Sequence, residues 1–284
     1  MPDLKKLLMP VDFSDRSEGL ARYAQEIASR FCSQIILLHV ENDPLIGGRP
    51  ADQGHPPGSI EHKLWLKKRL DSHLKEDLPS AAVTRIVTEG DPAGRIVEVA
   101  LAEQVDLILM ATTGHRALRQ LLWGSVLAKV IQDSNCPVWT GVHLTDAPPR
   151  DRLSFKRVAC AVDLGPQTRS ALSWASEFAS AFGALLSVVH VAKSAASEQV
   201  ELPSQGPEPR VARYARAELE YLLDDMKIKA DIATGAGSAP ALIHEFALQL
   251  EADVLVIGRC PSSSWLHSDT YTIIRESHCP VVSV

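Results

Sequence analysis

The feature that most constrains this chain is that it repeats itself. The stretch Lys6-Leu7-Leu8-Met9-Pro10-Val11-Asp12 is echoed by Arg157-Val158-Ala159-Cys160-Ala161-Val162-Asp163. A His-Val pair follows each Asp at the same distance, His39-Val40 and His190-Val191. Further on, Ile96 to Asp106-Leu107-Ile108-Leu109 matches Ile243 to Asp253-Val254-Leu255-Val256, and Cys136-Pro137-Val138 matches Cys279-Pro280-Val281. Asp12 and Asp163 lie 151 positions apart, as do Val40 and Val191; Asp106 and Asp253 are 147 apart, and Cys136 and Cys279 are 143 apart. The second copy is therefore four residues shorter before its fourth strand, and four shorter again after it. One domain has been duplicated in tandem. A length of 284 residues fits two domains. The polar, Pro-containing stretch Leu144 to Arg152 reads as the linker between them. The expected boundaries are 1–143 for the first domain, 144–153 for the linker and 154–284 for the second.

Within each copy, short β-branched runs alternate with longer stretches of helical periodicity, the pattern of βαβ units on a parallel sheet. Strands are expected near 5–11, 34–40, 82–88, 107–110 and 137–142, and helices near 15–31, 59–77, 92–104 and 124–133. The second copy repeats the strands near 157–162, 185–191, 228–234, 254–257 and 280–284. Unbroken apolar runs such as Ile35 to Val40 suit strands covered on both faces. Ser14 reads as the cap of the first helix, and Asp91-Pro92 as the cap and first turn of the third. The fold class is α/β: two tandem open five-stranded parallel sheets, Rossmann-like. The last strand of each is a short apolar edge, and an uncovered edge invites pairing. Pairing of Pro137 to Val142 with Pro280 to Val284 would make the chain an intramolecular pseudo-dimer, and homodimerisation of the whole chain is compatible with it.

Composition excludes several functions. Hydrophobic residues make up 45% and charged residues 23%, enough apolar material for ordinary cores. A net charge of −6 and 5% aromatics leave neither a basic field nor stacking platforms for nucleic acid. The longest apolar runs fall far short of the roughly 18 residues of a membrane span. No leader pattern follows Met1, so a cytoplasmic protein is expected. The five cysteines form no C-x-x-C pair and read as reduced, mostly buried thiols.

In an open parallel sheet, ligands bind beyond the carboxyl ends of the strands where strand order reverses. The residues there in the first copy are Asp12, and the run Met110-Ala111-Thr112-Thr113-Gly114-His115-Arg116 leading to Gly124-Ser125-Val126. Glycines admit close approach of backbone to an anion, and a helix N-terminus offers unpaired N–H groups. A loop with ordinary turn glycines and a Ser cap is the competing reading of the same residues. In this light the chain resembles a tandem universal stress protein, two copies of the small adenine-nucleotide-binding domain of the adenine nucleotide alpha hydrolase-like fold. The family's loop is Gly, two residues, Gly, nine residues, then Gly-Ser or Gly-Thr. Here Ala111, Gly114 and Gly124-Ser125 stand at that spacing. The resemblance implies that ATP is the ligand and that the backbone of Val40 reads the adenine edge. It implies ribose contacts at Asp12 and Ala111, and a phosphate cradle of Gly114, Gly124, Ser125 and Val126. Pro10, Val11, Met110 and His115 flank these positions and complete the candidate site. Mg2+ would be held through the phosphates and Asp12.

Two departures qualify the match. Ala111 stands where the family has Gly, tolerable if its φ is negative. The second copy, from Arg259 to Ser268, lacks the later glycines, places His267-Ser268 opposite Gly124-Ser125, and contains Pro261, which has no N–H. That half is expected to be structural or to hold a different ligand, and not to bind the adenine nucleotide. No metal site is expected: Cys260, His267, His278 and Cys279 lack paired zinc spacings, and His55, His62 and His73 have no matching carboxylate pattern. No nucleophile elbow, Walker loop or His-Glu-x-x-His occurs, and residues 112–125 contain no carboxylate to position water. The expected function is a stress-response sensor that binds ATP in its first domain and acts on an unidentified protein partner. A ligand-free docking scaffold and a weak ATPase are the alternatives.

Overall fold

The computed structural model describes residues 4–41, 58–79, 81–111, 120–141, 153–192, 210–259 and 269–284, with backbone alone for 120–125. The chain divides into two compact units, Asp3–Leu153 and Ser154–Val284.

The first unit contains β1 (Lys6–Pro10), α1 (Arg16–Phe31), β2 (Gln34–Glu41), α2 (Ile60–Ser72), β3 (Ala82–Glu89), α3 (Pro92–Ala102), β4 (Leu107–Ala111), α4 (Gln120–Asp133) and β5 (Val138–Gly141). Its strands run parallel in the order β3-β2-β1-β4-β5. The order reverses between β1 and β4, and right-handed crossovers set α1 and α2 on one face and α3 and α4 on the other. Leu7, Leu8, Ile35, Ile36, Leu37, Leu107 and Ile108 are buried, which is why these strands carry no polar alternation. The base of the sheet is tied by Asp106, whose carboxylate accepts the N–H of Lys6 at 2.8 Å.

The second unit repeats this with β6 (Arg157–Val162), α5 (Thr168–Phe182), β7 (Leu185–Ala192), α6 (Arg210–Asp225), β8 (Asp231–Ala236), α7 (Ala239–Gln249), β9 (Val254–Ile257), α8 (Asp269–Glu276) and β10 (Val281–Ser283). The order is β8-β7-β6-β9-β10, again parallel. Asp253 takes the place of Asp106, accepting the N–H groups of Lys156 and Arg157 at 2.7 and 2.8 Å. The repeated Asp before the fourth strand is thus a structural tie.

Three local expectations are corrected. Ser14 does not cap α1; it donates its hydroxyl to Asp12 Oδ1 at 2.6 Å, and Asp15 stands at the N-cap without a side-chain bond. α2 stops at Ser72 rather than 77, because His73 is extended and Leu74 is left-handed at φ 56. β8 begins at Asp231, three residues late, after a turn through Lys227 at φ 56. Asp91 does cap α3, accepting from Gly94 N at 3.0 Å with Pro92 in the first turn. Among the described residues, no helix is long and apolar enough to cross a membrane.

Candidate functional site

The site is built where β1 ends. Val11 N–H still bonds to the Leu38 carbonyl at 2.8 Å, and Asp12, Phe13 and Ser14 then turn sharply toward α1. Phe13 holds φ 59 and its counterpart Leu164 holds φ 60, a left-handed conformation costly for bulky residues. The same strained turn occurs twice, so it belongs to the design of the domain. Asp12 Oδ1 accepts from Ser14 N at 3.1 Å as well as from its hydroxyl, and Asp163 Oδ1 accepts from Gly165 N at 2.8 Å. Asp12 Oδ2 faces Arg16 Nη2 at 4.0 Å; the residue at that place in the second copy is Gln167.

The neighbouring edge is β2. Amides on a strand point alternately to either side. The Leu38 carbonyl points to β1, whereas that of Glu41 accepts from Gly90 N at 3.0 Å on the β3 side. Val40 therefore presents its N–H and C=O toward β1, just past the point where β1 has turned away. The register ends at Pro10↔Leu38 in the first copy but continues one pair further, to Val162↔His190, in the second. In a parallel ladder that extra pair draws the Val191 N–H into the Val162 carbonyl. In the first copy, the corresponding Val11 carbonyl lies 2.9 Å from His39 Nδ1, which must donate, and Val40 keeps its polar groups toward the cleft. His190 Nδ1 is also 2.9 Å from Val162 O, so the second carbonyl is shared.

Of the residues expected in the site, Pro10, Val11, Asp12, Val40, Met110 and Ala111 surround the carboxyl ends of β1, β2 and β4. Met110 is buried, and Ala111 continues β4 opposite Gly141 without positive φ, so its methyl imposes no backbone strain. Val126 lies in α4. Gly114 and His115 lie outside the described residues; α4 begins at Gln120, not near 124 as expected, so Gly124 and Ser125 fall in its second turn rather than at its opening, with side chains outside the description. The second-copy segment from Cys260 to Ser268 lies outside as well.

Sequence spacing missed a cluster on the α2 side. His39 Nε2 stands 3.4 Å from Glu41 Oε2, and His62 Nε2 stands 3.8 Å from Glu41 Oε1. His62 is 5% exposed and, among the described residues, neither ring nitrogen has a hydrogen-bond partner. The Phe13 ring packs 4.4 Å from His39 and 5.2 Å from His73, under the Arg69 guanidinium at 4.2 Å. Burial, with Arg69 second, pushes the His73 imidazole below its ordinary range. The carboxylate absent from the spacing of His62 is Glu41, which a long connection separates from it in sequence. Alternation along β2 was the one available signal, since it sets residues 39 and 41 on the same face. Among the described residues, no three His, Cys, Asp or Glu side chains are placed to hold a metal ion.

The sequence model of the universal stress protein family matches residues 3–140 and again 154–284. The chain belongs to that family. Two universal stress proteins of Methanocaldococcus jannaschii are similar to it: one is 34% identical over 47% of this chain and 79% of its own, the other 31% identical over 47% and 92%. A crystal structure of a universal stress protein from Archaeoglobus fulgidus covers 99% of this chain and 96% of its own, with TM-score 0.74 and 20% identity, a likeness of fold. This universal stress protein carries two family domains in one chain.

Proposed function

We propose that the first domain of this universal stress protein binds an adenine nucleotide, ATP, at the carboxyl ends of β1 and β4, and that the second does not. The observation that carries the reading is the unequal end of the two ladders, which leaves the Val40 N–H and C=O toward the cleft and engages the Val191 N–H. An N–H beside a C=O matches the acceptor N1 and the donor N6 amine of adenine, and mismatches guanine or hypoxanthine, whose edge is reversed. Asp12 Oδ2 would accept a ribose hydroxyl. Arg16 at the start of α1 adds a positive charge that Gln167 does not. Phosphates would lie toward Gly114 and the start of α4, whose positive dipole end favours anions; Gly124, Ser125 and Val126 sit past its first turn. Asp12 would hold Mg2+ through the phosphates, where the ion would offset their charge.

Occupancy is read as a signal to a protein partner, not as the start of turnover, since residues 112–125 supply no carboxylate to align an attacking water. We take residues 1–143 and 154–284 as the two domains and 144–153 as the linker. The intramolecular pseudo-dimer and a cytoplasmic location belong to the same proposal. Saturating ATP at a hundredfold excess over Kd should add about 2.7 kcal/mol to stability, visible as a shift in a melting scan. Gly124→Glu should abolish the shift and Ser268→Glu should leave it. No shift with the parent chain or with Ala111→Gly would favour the ligand-free scaffold, and magnesium-dependent phosphate release would favour the weak ATPase.

A further inference from the structure

The outer side of α6, in the second domain, carries charge in a self-complementary order. Ala212, Ala215, Leu219 and Leu223 are buried, where the helix packs on β7 and β8. The opposite line of the helix, at steps of three and four residues, is exposed throughout. Arg210 and Arg213 open that line, Ala217 is its midpoint, and Glu220 and Asp224 close it. Tyr214 and Tyr221 lie on it, 71% and 75% exposed. This order is the wrong one for a helix alone, whose macrodipole favours acids at the start and bases at the end. α6 has no acid in its first turn and no base in its last, whereas α2, its counterpart in the first domain, has Glu61 and Arg69 there. The helix's own stability does not account for the arrangement; a partner that presents the reverse order does.

We infer that this face of α6 docks the same face of a second copy of the chain, the two helices running antiparallel about a two-fold axis at Ala217. Positions equally far from residue 217 then oppose one another, and each contact occurs twice. Arg210 meets Asp224 of the second copy, Arg213 meets the Tyr221 ring with Glu220 beside it, and Tyr214 turns its hydroxyl to Glu220. Ala217 meets its own counterpart, and its small side chain lets the helix axes approach to about 8 Å. A parallel pair would instead set Arg210 against Arg210. Asp225 lies off the line and is taken by Arg169 of α5 at 2.7 Å; Glu218, also off the line, is exposed at the rim, where water screens it. The contact runs along a single helix of 16 residues, about 24 Å, less than a standard interface, so the dimer is reversible with Kd on the order of 10 μM. This surface is independent of the nucleotide site proposed above.

Sedimentation equilibrium of the full chain tests the docking. The parent should pass from monomer to dimer with rising concentration, and raising salt from about 0.05 M to about 0.5 M should weaken the dimer at least about threefold. Two double variants, Arg210→Asp with Arg213→Glu and Glu220→Arg with Asp224→Arg, should each be monomeric. Mixed in equal amounts they should form a mixed dimer, because every facing pair is again of opposite sign; that recovery also shows that both fold. Ala217→Cys under mild oxidation should give a disulfide-linked dimer, since two Cα atoms on the axis fall within disulfide range. The parent, whose Cys32 is exposed, serves as the control and should give none. A parent that stays monomeric well above that Kd, a dimer that survives both reversals, or reversals that remain monomeric when mixed overturns the inference. Absence of the linked dimer overturns it even where a reversal variant fails to fold.

Discussion

Cys32 ends α1 at φ 55 in the place that Gly183 holds after α5 at φ 66. Both N–H groups close the helix onto carbonyls of its last turn, Cys32 to Ala28 and Gly183 to Ala179 and Ser180. Only glycine reaches this conformation without cost. Cys32→Gly should therefore stabilise the protein by about 1 kcal/mol in urea unfolding, and Gly183→Ala should destabilise by a similar amount. An added methyl at Gly183 has no atom within 4 Å, so any loss there comes from backbone conformation and not from a clash. Equal stability of Gly183→Ala and the parent would contradict this account.

The fold was legible because its determinants are local and repeated. Apolar runs at Leu7 to Met9 and Ile35 to Leu38, the Asp before each fourth strand, and the cap at Asp91 can be read from neighbours in the chain. Counterparts of these strands and of the Asp before the fourth recur 147 to 151 positions later. Ser14 misled because capping preference describes the residue alone, whereas Asp12 captured its hydroxyl. The site was legible only in part. Asp12 and Val40 follow from where strands end, but the ladder difference between Val40 and Val191 turns on one hydrogen bond. Glu41 and His62 come together through tertiary packing across a connection that carries no periodic signal.

Asp91 links α3 to pH. The Gly94 N–H first, and then the Lys129 ammonium at 3.0 Å, hold its carboxyl below the usual range. A carboxyl depressed in the folded state adds stability above its unfolded value, and that stability is lost as pH falls through the folded value. Asp91→Ala should cost about 1 kcal/mol near neutral pH, the usual worth of a cap, and the gap should close in acid. Lys129→Ala should change little, because water screens this exposed pair. Urea titrations of the two variants at pH 7 and pH 3 provide the check; an Asp91→Ala deficit that persists unchanged in acid would count against the cap.

The thiols should differ sharply in reactivity. Burial pushes Cys160, in the middle of β6, up to about 12, and Cys279, before β10, up to about 11. The thiolate is the nucleophile, so neither should react with iodoacetamide in the native protein near neutral pH. Cys32 is exposed. Peptide mapping after brief labelling should find Cys32 modified first, with Cys160 and Cys279 protected until urea unfolds the chain. Early modification of Cys160 would mean that the second sheet opens locally.

Asp12 and Asp163 form the sharpest comparison within one molecule. Both terminate a first strand, both precede a residue near φ 60, and both accept from the N–H two residues on. Loss of the turn should therefore cost the two units similar stability in Asp12→Ala and Asp163→Ala. Nucleotide binding should separate them. A carboxylate that accepts a ligand hydroxyl contributes about 1.5–3 kcal/mol, so Asp12→Ala should weaken ATP roughly tenfold to a hundredfold. Asp163→Ala should leave ATP affinity unchanged, because the Val191 N–H beside it is taken into the ladder. Asp12→Asn keeps an acceptor oxygen for the Ser14 N–H and should retain most of the stability while still losing affinity. Isothermal titration of the three variants, with urea unfolding in parallel, resolves turn from ligand contact. Equal losses of affinity in Asp12→Ala and Asp163→Ala would place nucleotide in both domains and refute the asymmetry drawn from the two ladders.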